Sequence, residues 1–331
     1  MRFSITLLLL VVSFETVAQN SYAPAVGLPG SKAIYKDSSI IKSWASACKV
    51  QRGYIDIANK TSGKVDYGKA DYAIGKSDPG VVSLGDSGIA TLSFDGVVHN
   101  GPGPDFCVFE NSFSDNYLEL AFVEVSSDGI NYFRFPAFSE TDTATQVGPW
   151  GFLEASNLYN LAGKYRGQYG TPFDLQEMVN IAGLNVDSVK HIRMIDVIGS
   201  IDTNYASFDS KGRRINDPYP TDMPTNNLYS GGFDLDAVGL INYTGKVFLS
   251  NHYVQPRSAE LSVFPNPAID ILNISKVSIN SVITVYNIAG ERFEVNSIGD
   301  LQYDVSNLNL GLYLIEVNDG RVVYRGRFAK L

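Results

Sequence analysis

The sequence predicts an all-β protein whose main body is a β-sandwich of jelly-roll type with one short helix. Three observations carry this. From about residue 50 onward the apolar runs are short and separated by turn residues. Glycine is abundant at 30 residues, and the chain holds 19 Tyr and 18 Phe. Glycines suit tight turns, and aromatics suit pleated, half-buried surfaces. Only one stretch carries the capping signals of a helix, so helices cannot build the core.

Taken in order, Val81 to Leu84 reads as a short strand and Gly85-Asp86-Ser87-Gly88 as a turn. Ile89 to Phe94 alternates as the next strand. Asp105 to Phe109 follows the stiff loop Asn100-Gly-Pro-Gly-Pro104. Leu118 to Ser126 turns at Ser127-Asp128-Gly129 into Tyr132 to Phe135. Val189 to Ile198 and Phe233 to Ile241 close the set. Asp174 stands at an N-cap position with Glu177 three residues on, as in a capping box. The helix is expected over Leu175 to Ala182, stopped by Gly183. Two long loops, about 139–173 and 199–232, are rich in Tyr, Asn, Asp, Gly and Pro. Loops of that length in a compact domain are usually functional or mobile.

The first residues read as an export signal over 1–18. Arg2 supplies a basic start, Ile5 to Phe14 an apolar stretch too short to span a bilayer, and Thr16-Val17-Ala18 a small-residue cleavage site. Residues 19–244 are then expected to form the large domain, 245–258 a linker, and 259–331 a second small domain. No other segment is apolar for 18 residues, so no transmembrane segment is expected in the mature chain. The net charge of −9 argues against nucleic acid as a partner, because phosphate binding needs a basic face. Cys48 and Cys107 are the two cysteines. In an exported chain they form one disulfide or stay as two buried thiols, and the spacing leaves both open.

After the linker, Leu261-Ser-Val-Phe264-Pro265-Asn266-Pro267 starts a strand and stops it with two prolines. The pieces "VFPNPAIDILNI", "ITVYNIAGERF", "DVSNLNLGLYLIEV" and the basic end "YRGRFAKL" follow in order. This segment of about 70 residues resembles the type A C-terminal sorting domain of the type IX secretion system. The resemblance implies a small Ig-like β-sandwich that addresses its cargo to the outer-membrane translocon. Attachment at the cell surface, or release, would follow. One departure is the last strand, which has Arg and Phe where that family more often has paired lysines.

Over about 54 to 242 the chain resembles a group of exported bacterial surface proteins without a settled activity. The shared pieces are "VVSLGDSGIATLSF", "NGPGPDFCVFEN", "ELAFVEVSSDGINYFRFPA", "LAGKYRGQYGTPFDL", "VKHIRMIDVIGSID" and "SGGFDLDAVGLIN". The hairpin "VEVSSDGINYFRF" also resembles discoidin-like, galactose-binding sandwiches. Neither resemblance supplies a catalytic residue.

Acidic residues gather in these pieces. Asp234 and Asp236 are i and i+2, which puts them on one face of a strand. Asp105, Glu110, Asn111, Glu124 and Asp196 lie in or beside other strands. Hard oxygen ligands converging at strand ends suit Ca²⁺, which takes six to eight oxygens. The expected metal ligands are therefore Asp234, Asp236, Glu110, Asn111 and Asp105; the alternative is that each caps a turn or faces water. Gly85-Asp86-Ser87-Gly88 spells a chymotrypsin-type nucleophile, but that chemistry needs a histidine that precedes the serine. His99, His191 and His252 all follow it, and the stretch makes a good turn. No phosphate loop and no dinucleotide fingerprint is present. The expectation is a non-catalytic binding module, with loop tyrosines Tyr165, Tyr169, Tyr219 and Tyr229 gripping a glycan or other small molecule by stacking. A hydrolase with a carboxylate pair that no motif picks out, or a purely structural surface protein, are the alternatives.

Overall fold

The structure, a computed structural model, describes residues 22–220, 223–225, 228–249, 259–275, 282–287, 291–299, 301–318 and 323–331. The expected export signal at 1–18 and most of the expected linker lie outside these residues.

Two sheets build the large body. One has six strands: β1 (Ile34–Tyr35), β12 (Tyr169–Phe173), β6 (Phe106–Glu110), β16 (Asp234–Leu240) and β2 (Ser43–Trp44) in that order, with β4 (Val82–Ser83) also on β16. The other has seven: β11 (Leu161–Ala162), β7 (Ala121–Ser126), β13 (Val189–Asp196), β5 (Ile89–Val98) and β17 (Tyr243–Gly245) in order. To that sheet β3 (Ala47–Gln51) adds on β5 and β8 (Phe133–Arg134) on β7. Two short ribbons pair β9 (Phe138–Ser139) with β10 (Leu158–Tyr159), and β14 (Met223–Thr225) with β15 (Leu228–Ser230).

The two large sheets face each other over one apolar layer. Phe106, Val108, Phe173, Leu235, Val238 and Leu240 come from the first; Ala90, Leu92, Val123, Val125, Ile192 and Met194 come from the second. Phe106 stacks on Phe173 at 5.3 Å between ring centroids, and Phe135 closes edge-on at 5.2 Å from Phe173. Every second residue of most of these strands thus meets the other sheet across a sandwich, as the two-residue period of a strand requires.

The strands expected from the apolar runs are present with ends moved by a few residues. Several segments differ, among them the two long loops, which carry the short strands β10, β11, β14 and β15. Tyr169–Phe173, read as loop, is an inner strand between β1 and β6. Its Gly170 and Pro172 hid it. Pro172 is tolerated because β1 reaches only Tyr169 and Gly170, so the proline lies where that side of the strand has no partner. The expected α-helix is instead a 3₁₀ turn over Leu175–Met178. Asp174 does cap it, accepting from Gln176 N at 2.9 Å. Glu177, however, accepts from Asn160 Nδ2 at 2.7 Å, and a box needs it turned back on the cap. Finally, the two long loops are bound to each other. Asn216 donates to the carbonyls of Asp142 and Thr145 and accepts from Val147 N at 2.9 Å.

Cys48 and Cys107 are free thiols. They sit on β3 and β6, which belong to different sheets, and Cys107 packs with Trp44, Phe109 and Ala237 on the outer side of its own sheet.

The C-terminal segment has its own pair of sheets and its own core. One sheet runs β18 (Ala259–Glu260), β26 (Val323–Lys330), β25 (Gly311–Asn318), β21 (Val282–Asn287), β22 (Arg292–Phe293). The other runs β19 (Ser262–Phe264), β20 (Ile271–Ser275), β24 (Gln302–Asp304), β23 (Asn296–Gly299). Leu272, Ile274, Val285, Tyr303, Tyr313, Ile315 and Phe328 pack between them.

Candidate functional site

One polar cleft grows out of a single cross-strand pair. Register places Tyr35 of β1 opposite Tyr169 of β12, so their rings stand side by side at 5.3 Å. The Arg166 guanidinium lies 4.9 Å over the Tyr169 ring. Asn111, Ser112 and Phe113 leave β6 along one wall, and Ser77 and Asp78 form the other with Asp236 of β16. The cleft encloses about 610 Å³, within the range of small-molecule sites.

Asp236 is the buried acid of this cleft. Its Oδ2 accepts from Ser77 Oγ at 2.5 Å and its Oδ1 from Asp78 N at 3.0 Å. Burial still wins, and pushes the carboxyl from 3.8 up to about 7. A protonated carboxyl, a neighbouring Asp78, Lys36, Arg166 and two tyrosines offer donors, acceptors and ring faces together.

Behind the cleft lies a line of buried carboxylates. Glu110 ends β6, and its Oε2 accepts from Ser112 N at 2.7 Å. Its Oε1 is buried and has no hydrogen-bond partner among the described residues. Burial first, and then the charge of Asp234, holds Glu110 well above the usual carboxylate range. Glu119 is raised by burial and then by Asp234, Glu110, Asp217 and Asp196. Asp196 is raised by burial and by Asp86, although Phe233 N donates to it at 2.7 Å. Asp217 takes Leu120 N at 3.1 Å on one oxygen, while its Oδ1 is also without a partner among the described residues. Glu124 stands apart: Arg134 and Arg193 both pair with it, at 3.0 and 2.8 Å from their Nε atoms.

The residues singled out from the sequence are only partly brought together. Asn111, Asp236 and Tyr169 meet in the cleft. Asp234 takes the Ser83 and Ser230 hydroxyls and Asn111 Nδ2, where Asp236 takes Ser77 and Asp78. A register shift between Leu235 and Ala237 separates the surroundings of the two aspartates. Asp105 ties a corner, accepting from Gly101 N, Asn242 Nδ2 and Leu175 N at 2.9, 2.7 and 2.6 Å. Tyr165 lines a second cleft. Tyr219 Oη donates to Asp56 at 2.7 Å and lines neither. The strand of Tyr229 is described but its side chain lies outside the described residues. Glu119 and Lys164 lie in quoted pieces and Asp217 in a long loop, but none was singled out for a site, and only the fold shows that they are buried. Ser87 of the Gly-Asp-Ser-Gly stretch is an exposed turn residue at φ 56°, its N–H on Asp196 at 3.1 Å. Among the described residues, no group of three or more His, Cys, Asp and Glu side chains is arranged to hold a metal as it stands.

The class of protein is set by its C-terminal part. Two four- and five-stranded sheets over one apolar layer carry the Pro-Asn-Pro start and the basic final strand noted above. Residues 262–329 match the secretion system C-terminal sorting domain. The protein is therefore a cargo of the type IX system, secreted or held at the outer-membrane surface. Among the described residues no helix is long and apolar enough to cross a membrane. No curated protein matches the sequence. A solved structure titled "Biofilm associated protein - BSP domain" is similar at 11% identity and a TM-score of 0.21. The match covers 89% of this chain and 53% of that one, so this chain spans about half its length. A likeness of that size carries no functional argument.

Proposed function

We propose that this is a non-catalytic binding protein of the cell surface whose large domain takes a glycan or a similar polyhydroxylated small molecule in the Tyr35–Tyr169 cleft. The observation that carries this is the meeting of Tyr169, Asn111 and Asp236, from three separate strands or strand ends, around one opening of about 610 Å³. Ring faces suit the apolar side of a sugar, and carboxyl, amide and guanidinium groups suit its hydroxyls. Thermal shift and titration against a panel of neutral oligosaccharides test it. Tyr169→Ala should remove the response of any neutral oligosaccharide that the whole chain binds. Release of shorter sugars during the incubation would instead favour the hydrolase reading, with Asp78 and Asp236 as its carboxylates.

The same reading includes a stabilising Ca²⁺. What supports it is the orphaned Glu110 Oε1 next to Asp234, since a buried carboxylate oxygen without donor or cation is costly. Glu110, Asp234 and the Asn111 side-chain oxygen would hold the ion and leave Asp105 and Asp236 to their hydrogen bonds.

A further inference from the structure

The second cleft holds about 500 Å³ and is built differently from the first. Tyr22, Tyr159 and Tyr165 give it ring surface, with Tyr22 and Tyr159 5.1 Å apart. At one pole stand two amines. Lys164 is only 4% exposed, yet among the described residues its Nζ reaches one acceptor, the Leu158 carbonyl at 2.5 Å. The ammonium also lies 5.7 Å from the Tyr165 ring. Lys32 joins it in the lining, tethered where its backbone N–H donates to Tyr165 Oη at 3.3 Å. Among the described residues no carboxylate forms an ion pair with either amine.

At the other pole stand acceptors. Glu177 and Asp174 are the charges that bear on Tyr159, whereas the charge that bears on Lys164 is Lys32. Asn160 is held at φ 49°, with its amide on Glu177. The cleft thus runs from two amines, over tyrosine rings, to carboxylate and amide groups.

We propose that this cleft binds a sugar that carries a carboxylate, a uronic-acid type residue, with its anionic group between Lys32 and Lys164 and its hydroxyls toward Asn160, Asp174 and Glu177. A buried lysine with one carbonyl partner lacks the counter-charge that such amines usually have. A bound carboxylate supplies it through charge-assisted hydrogen bonds in a place shielded from water. Burial, helped by Lys32, pulls the Lys164 amine down to about 7, so the empty cleft holds this lysine ready to gain a proton with its ligand. The ring surface is what separates a sugar acid from a bare anion. The site is independent of the Tyr35–Tyr169 cleft.

The test is titration calorimetry of the whole chain with glucuronic acid, glucose and sodium acetate at one ionic strength. Glucuronic acid should bind, and glucose and acetate should bind at least about tenfold more weakly. Lys164→Met and Lys32→Gln should each lower glucuronate affinity by about tenfold or more, while Tyr169→Ala in the other cleft should leave it unchanged. If Lys164→Met does not fold, Lys32→Gln carries the test. Equal binding of acetate and glucuronate would make this a free-anion site and overturn the assignment. So would binding of glucose as tight as glucuronate, absence of glucuronate binding, or wild-type affinity in Lys32→Gln.

Discussion

Asp236→Asn is the substitution whose effect can be worked out most fully. Its carboxyl is 3% exposed and moved by burial from 3.8 to about 7. The folded state therefore prefers the protonated form more than the unfolded state does. Below about pH 4 both states carry the proton and nothing is lost. As pH rises toward 7 the unfolded chain ionises first, and folding loses about 1.4 kcal/mol per pH unit, on the order of 4 kcal/mol in all. Above about 7 the loss is constant. Asparagine has no proton to lose and keeps the local bonds: its oxygen accepts from Asp78 N–H and its amide donates to the Ser77 hydroxyl. Urea unfolding in chelator, from pH 4.5 to 7.5, should show the variant gaining about 3 kcal/mol on the wild type across that range. Parallel pH profiles would refute the claim that Asp236 is a desolvated acid. A variant equally destabilised at every pH would show instead that its hydrogen bonds, not its burial, decide its effect.

The other predictions rest on different groups. Ca²⁺ should raise the melting temperature of the whole chain relative to chelator, because an ion bound only by the folded state shifts the equilibrium. Glu110→Gln should remove that rise, and equal melting temperatures with Ca²⁺ and with chelator would end the calcium reading. Both cysteines should label as thiols after unfolding, and only slowly before it. Burial pushes Cys48 up to about 12 and Cys107 higher still, so neither is a thiolate at neutral pH. A mass two units lower for the untreated chain would show a disulfide and contradict the placement on two sheets.

How much of this was legible in the sequence follows from the range of the interactions. Ile89–Val98 declares itself because its residues alternate locally between inside and outside. Tyr169–Phe173 is a strand for a non-local reason: Phe173 fills the core against Phe106, and β1 and β6 flank it. Local propensity, weighed down by Gly170 and Pro172, pointed elsewhere. The site shows the same division. Asp236 and Tyr169 were visible as residue types in suggestive pieces, but the pairing with Tyr35 depends on a strand partner 134 residues away in register. Nothing local in Leu161-Ala-Gly-Lys164-Tyr165 marks the amine as buried; its burial comes from the 158–165 segment folding back on Leu158. The equal spacing of Asp234 and Asp236 suggested one shared ligand, and the register shift beside them sends them to different partners.

The central claim is that the protein is built for delivery to the cell surface, with a C-terminal part that addresses it there. Residues 259–331 carry a separate apolar core, Leu261 to Phe328, that shares no residue with the large sandwich. The most direct measurement compares the whole chain with a version ending at residue 258, each expressed in a bacterium with a type IX system. Surface protease digestion and periplasmic fractionation then locate each form. The whole chain should be found outside the outer membrane. The shortened chain should accumulate folded in the periplasm. Surface delivery of the shortened chain at the level of the whole one would contradict the account.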